Sequence, residues 1–108
     1  MATFMTQFSY TAQAWAALTK NPEDRGAAVG ALLEKLGCRL LNIYYTLGEY
    51  DGFIVFEAPD GTTAGAAIIA ATTPGHLKAT KTTQLFTMQE TMDMAGKAGS
   101  LIYSAPKG

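Results

Sequence analysis

Cys38-Arg-Leu-Leu-Asn-Ile-Tyr-Tyr-Thr-Leu47 and Tyr50-Asp-Gly-Phe-Ile-Val-Phe-Glu-Ala58, separated only by Gly48-Glu49, decide the fold of this chain. Both runs are rich in aromatic and β-branched side chains, which fit a pleated surface, and so short a link makes them antiparallel neighbours in a hairpin. Simple alternation puts Leu41, Ile43, Tyr45 and Leu47 on one side of the first strand and Leu40, Asn42, Tyr44 and Thr46 on the other. In the second strand Ile54 and Phe56 oppose Phe53 and Val55. Apolar groups on both faces require a cover on both sides.

Upstream, Thr3 to Tyr10 alternates Phe4, Thr6, Phe8 and Tyr10 with Met5, Gln7 and Ser9, the period of a strand. From Thr11 the period turns helical through Ala14, Trp15 and Leu18, with Ser9 or Thr11 placed to cap. Lys20-Asn-Pro-Glu-Asp24 predicts a break and a restart, with Asn21 as the new cap, Pro22 in the first helical position and two acids at the positive helix end. Val29, Leu32, Leu33 and Leu36 then form the apolar stripe of a second helical piece, which Gly37 stops.

Downstream, Asp60-Gly-Thr62 caps a helix whose Ala64, Ala67, Ile68 and Ala71 share a face, and Thr73-Pro-Gly75 ends it. Leu77 to Met88, rich in Thr and interrupted by Lys78 and Lys81, reads as a strand with a solvated face or at an edge. Met88, Met92 and Ala95 predict a short helix, and Leu101-Ile-Tyr103 a small strand before the Pro106-Lys-Gly108 tail, which docks elsewhere.

The order β-α-β-β-α-β with a C-terminal helical appendage is the ferredoxin-like α+β arrangement: a four-stranded antiparallel sheet with both crossover helices on one face. The other face stays bare. Its apolar side chains predict a homo-oligomer, at least a dimer, in which two sheets meet about 10 Å apart and Gln7, Asn42 and Thr80 line a pocket for a small organic ligand.

The chain has 108 residues, enough for one domain spanning 1–108. Hydrophobic residues make up 48% and charged residues 16%, an apolar balance that leaves surface for a partner. A formal charge of -1 without a basic cluster argues against nucleic acid. Cys38 is the only cysteine, and with no leader-like start and no apolar run near the ~20 residues of a membrane span, the expectation is a soluble, cytoplasmic protein.

The stretch Gly48-Glu-Tyr-Asp-Gly-Phe-Ile-Val-Phe-Glu-Ala-Pro-Asp60 resembles the signature of the GYD domain family, with Gly48, Tyr50 and Asp51 at the motif positions. The resemblance runs from the Phe4 strand through Thr83-Gln-Leu85, and includes the Gly37 turn and the Asp60 helix start. It implies a bacterial-type dimeric α+β barrel, similar to a superfamily that includes cofactor-free monooxygenases, chlorite-dismutase-like proteins and stress-responsive barrels. It implies no particular reaction.

Candidate pocket residues are Tyr50, Asp51, His76, Tyr44, Asn42 and Trp15. Tyr50 and Asp51 bring a phenol and a carboxylate to the start of the third strand, where they bind ligand or move a proton; the rival reading is structural, with Asp51 accepting backbone amides and Gly48 supplying the turn. His76, the lone histidine, suits an acid, base or ligand role and equally a solvated loop. Trp15, Tyr10, Tyr44 and Tyr45 offer stacking surface or core. Lys78 and Lys81 are three apart on a strand and do not form one anion site. Cys38 reads as a small buried residue, and Met88, Met92 and Met94 as gap fillers or interface residues.

No zinc spacing, Gly-rich phosphate loop, nucleophile elbow or His-Glu-x-x-His helix is present, so no metal or cofactor is expected. Three functions remain open: a homo-oligomeric binding or interaction module, a cofactor-independent oxygenase or isomerase acting on a small organic substrate, and a scaffold subunit.

Overall fold

The computed structural model describes residues 1–107; Gly108, the end of the expected tail, lies outside the described residues. Strand β1 (Ala2–Tyr10) leads to helices α1 (Ala12–Lys20) and α2 (Arg25–Lys35). Strands β2 (Arg39–Tyr45) and β3 (Gly52–Ala58), helix α3 (Gly61–Thr72), strand β4 (Leu77–Leu85) and helix α4 (Met88–Gly99) follow. The sheet order β2-β3-β1-β4, antiparallel throughout, is the expected ferredoxin-like topology.

The period-two pattern of β1 sends Phe4, Thr6, Phe8 and Tyr10 to the buried side, where Ile54 and Phe56 join them from β3. Helices α2 and α3 cover this face with Leu33, Ala64 and Ala67, while Ala14 and Leu18 of α1 pack at its margin. Two small alanines on α3 let that helix lie close to the sheet. Thr6 is the polar exception in this layer, and its hydroxyl meets that of Thr82 across the β1–β4 pair at 2.9 Å.

The caps differ from expectation at the α1–α2 break. Thr11 caps α1, but Asn21 closes α1 by sending its N–H to the Ala17 carbonyl, and Asp24 caps α2 by accepting from the Ala27 N–H. Glu23 pairs with Arg25. Asp24 prevails over Asn21 because its carboxylate lies one residue before the helix and reaches the third helical amide. Gly37 (φ 73°) and Gly75 (φ 88°) take the left-handed conformation after α2 and α3.

Strict alternation fails in β2. Leu40 pairs with Phe56 and Asn42 with Val55, so Leu41 is the extra residue of a bulge. Leu40 thereby joins Ile43 on the helix side, against the core, and does not share the face of Asn42 and Tyr44. Thr80 is likewise displaced from the expected open face: it pairs with Phe8 on the helix side, whereas Gln7 pairs with Lys81 on the open one.

The link between β2 and β3 is longer than Gly48-Glu49. Strand pairing stops at Tyr45 and Gly52 because the Thr46 N–H turns to the Asp51 carbonyl, the Thr46 hydroxyl to the Tyr50 carbonyl, and the Asp51 N–H to Phe8 of β1. Leu47 is therefore fully exposed, and Tyr50 and Asp51 precede β3 instead of beginning it.

Beyond β4 the chain leaves the body. No residue of α4 is buried, and Leu101, Ile102 and Tyr103 form an exposed extension and not the expected strand. The radius of gyration is 17.5 Å and the longest dimension 57 Å, against about 13 Å expected for the radius of a compact chain near this length.

Candidate functional site

One end of the sheet gathers most of the chain's unusual side chains. It is the end where β1 finishes at Tyr10, β2 finishes at Tyr45, and β4 starts just after His76. Ladder bonds run out here, so side chains take over the pairing. Asp51 Oδ2 accepts the Tyr10 backbone N–H at 2.8 Å and the Trp15 indole N–H at 3.2 Å. The His76 carbonyl accepts the Thr11 N–H at 3.0 Å.

Tyr10 is the hub. Its hydroxyl meets that of Tyr45 at 2.9 Å, the Trp15 ring stands edge-on to it at 5.2 Å between centroids, and the His76 ring lies at 6.2 Å, tilted by 33°. Phe8 closes the inner side at 5.3 Å. Burial, followed by the Tyr45 contact, raises the Tyr10 pKa far above that of an ordinary phenol, so Tyr10 is a neutral hydroxyl. Burial and then the Arg25 charge lower the pKa of His76, which favours the neutral imidazole.

Beside Tyr10 opens a hollow of about 310 Å³. Ala14, Ala17 and Leu18, one face of α1, give it an apolar lining, and Asn21, Glu23, Arg25 and His76 complete the lining with Tyr10. Around Trp15 the surface continues into two more open depressions, one of about 370 Å³ bordered by Tyr45, Gly48 and Asp51 and the other of about 220 Å³ bordered by Pro22 and Tyr45.

Of the residues singled out in the sequence, Trp15, Asp51 and His76 converge here, and Gly48 borders the Trp15 depression. Tyr44 and Asn42 lie elsewhere, on the exposed face of β2, with Tyr44 against Phe53 at 5.6 Å. Tyr50 is half-buried in the link, and its carbonyl is taken by Thr46. Sequence reasoning missed Arg25 as a site residue. It also missed the hollow's wall, although Ala14, Ala17, Leu18 and Asn21 follow the i, i+3, i+4, i+7 spacing of one helix face. Among the described residues, no three of His, Cys, Asp and Glu come together as a metal site would require.

The family model of the GYD domain matches residues 4–95, from β1 into α4. This chain belongs to the GYD domain family. In this GYD domain the motif aspartate, Asp51, is a strut that joins β1 to α1, and the glycine after it is sterically obligatory. A Cβ on Gly52 would stand 2.6 Å from the Tyr44 carbonyl oxygen and 2.7 Å from the Phe8 ring.

Among solved structures, the fold is similar to that of MtbAldR, with a TM-score of 0.57 at 11% identity; the match covers 80% of this chain and 52% of MtbAldR, so the chain spans about half of that protein. It is also similar to TTHA0845 from Thermus thermophilus, with a TM-score of 0.52 and 16% identity over 81% of this chain and 95% of the other. FFRP-DM1 gives 0.50 and 16% over 80% and 100%. At these identities the likeness is one of fold. No curated protein matches the sequence. No helix among the described residues is long and apolar enough to cross a membrane.

Proposed function

We propose that this GYD domain is a self-associating small-molecule-binding module whose ligand enters the hollow beside Tyr10. The observation that carries this reading is the hollow itself: an apolar helix face and Tyr10, His76 and Arg25 line one concavity, with a volume at the lower end of ligand sites, which run to about 300–1,000 Å³. Scattered surface polarity does not converge on a concavity in this way. The ligand site of the module lies on the helix side of the sheet, within one copy, and not between two sheets.

Self-association draws on a different set of residues. Tyr44 is exposed on the open side of the sheet, Leu41 is exposed at the β2 bulge, and the α4 extension exposes Met88, Met92, Leu101, Ile102 and Tyr103. Apolar area of this extent is unusual on a monomer. It supports burial against further copies of the chain.

The oxygenase or isomerase reading has less support. Asp51, its proposed proton carrier, has one oxygen committed to two N–H donors, and Tyr50 lies in the link. The groups on the hollow's lining that could move a proton are His76, the neutral Tyr10 and Glu23, and Glu23 is paired with Arg25.

Native mass spectrometry of untagged protein tests both parts. The expected result is a discrete oligomer that carries added small-molecule mass, or acquires it from a library of small organic compounds, and loses that mass when Ala17→Phe fills the hollow. A monomer overturns self-association, and binding indifferent to Ala17→Phe overturns the site.

A further inference from the structure

We propose that the hollow takes a compact organic acid, with its carboxylate on Arg25 and its apolar body against Ala14, Ala17 and Leu18. This rests on the reading of the hollow as a ligand site and adds the chemical class.

Arg25 is the one cation among the described residues lining the hollow. Its side chain is 27% exposed, whereas that of Glu23, its ion-pair partner, is 58% exposed. Arginine carries five N–H donors, and the contact with Glu23 is made through Nη1 alone, which leaves donors for a second carboxylate. A surface ion pair of this kind contributes little to stability. A ligand carboxylate on the more sheltered side of the guanidinium therefore displaces or joins Glu23 at little cost, and a planar fork matches a planar carboxylate in two parallel bonds.

The remaining walls tolerate an anion. Tyr10 is held as a neutral hydroxyl and His76 favours the neutral imidazole, so neither adds negative charge. Arg25 is also the first residue of α2, where the helix dipole favours negative charge, and Asp24 satisfies only the Ala27 amide of that turn. An amine ligand would face the Arg25 charge, the more sheltered of the two charges on the lining, while the Glu23 carboxylate there is already paired with Arg25. The rest of the lining includes hydrocarbon from three α1 side chains, so affinity for a small polar acid such as acetate stays low. The size of the hollow suits one ring or a short branched chain.

The test is calorimetric titration of the full chain with benzoate, 4-hydroxybenzoate and isovalerate, each beside its neutral amide. Acids are expected to bind at least tenfold more tightly than their amides. Arg25→Gln should abolish that preference, and Glu23→Gln, which removes the competing carboxylate, should tighten acid binding several-fold. Amides that bind as well as acids, or a preference that survives Arg25→Gln, overturn the acid assignment while leaving a small-molecule site standing. Acid affinity unchanged or weakened by Glu23→Gln also counts against it, should Arg25→Gln fail to fold. If neither acids nor amides bind, both this inference and the binding-module reading it rests on fall.

Discussion

Asp51 accepts the backbone N–H of Tyr10 at 2.8 Å, just beyond the last β1–β3 ladder pair, Phe8 with Gly52. The carboxylate supplies the acceptor that the next residue of a longer strand would have offered. Since the same oxygen holds the Trp15 indole, one side chain fixes both the end of β1 and the start of α1. Asp51→Ala leaves the Tyr10 amide without its partner and should cost about 1–3 kcal/mol, the range for an orphaned donor. Trp15 is the only tryptophan, so its fluorescence reports the loss directly. Urea denaturation should show the lower midpoint, with Asp51→Asn intermediate. An Ala variant as stable as the parent would remove the strut from the account.

Gly52 answers to sterics in the same motif. Its missing Cβ is what lets the Tyr44 carbonyl and the Phe8 ring approach, and the first of these is backbone with little room to shift. Gly52→Ala is expected to destabilise by roughly 2 kcal/mol or more, as overpacking of a buried site does. Gly48, with open space around its Cα, should accept alanine with an effect below about 0.5 kcal/mol. Thermal melts of the two variants side by side separate these expectations.

The hairpin and the two faces of β1 were legible because aromatic and β-branched residues alternate there without interruption. The bulge at Leu41 was not, since one extra residue leaves local composition unchanged while it moves Leu40 to the opposite face. Trp15, Asp51 and His76 stood out by residue type, yet their meeting depends on where strands end. Nothing in the sequence sets Arg25 apart; only the fold places it beside Tyr10 and His76, residues distant in sequence.

The pH dependence of stability follows from His76. Burial and Arg25 hold its folded pKa below the ordinary value of about 6.5. Between the folded value and about 6.5 the unfolded chain binds more protons than the folded one, so stability rises with pH across that window. Unfolding free energy should therefore be flat above about pH 7, decline as pH falls through about 6.5, and level off below the folded pKa as far as this residue is concerned. His76→Gln should flatten the limb. Urea midpoints collected from about pH 5 to 8 give the comparison, and an unchanged slope in His76→Gln would assign the limb to other groups.

The proposed self-association draws on the C-terminal extension, none of whose helical residues is buried in the single copy. Helix α4 begins with a full capping box, Thr87 and Glu90 each bonding the other's backbone, so it is locally well formed while burying none of its residues. Its Met88, Met92 and Ala95 lie along one side at helical spacing, and Leu101, Ile102 and Tyr103 prolong the apolar surface into the tail. A protein truncated after Leu85 keeps all four strands and every residue of the hydrophobic core. It is expected to retain its strand signal by circular dichroism and to bind ligand in the hollow as the full chain does. With self-association as proposed, sedimentation velocity should show the parent's oligomer shifted toward smaller species, because the removed side chains are exposed apolar surface in the single copy. A truncated protein with unchanged association would place the whole interface on the open sheet face, around Tyr44, while one that fails to fold would show that α4 supports the single copy after all.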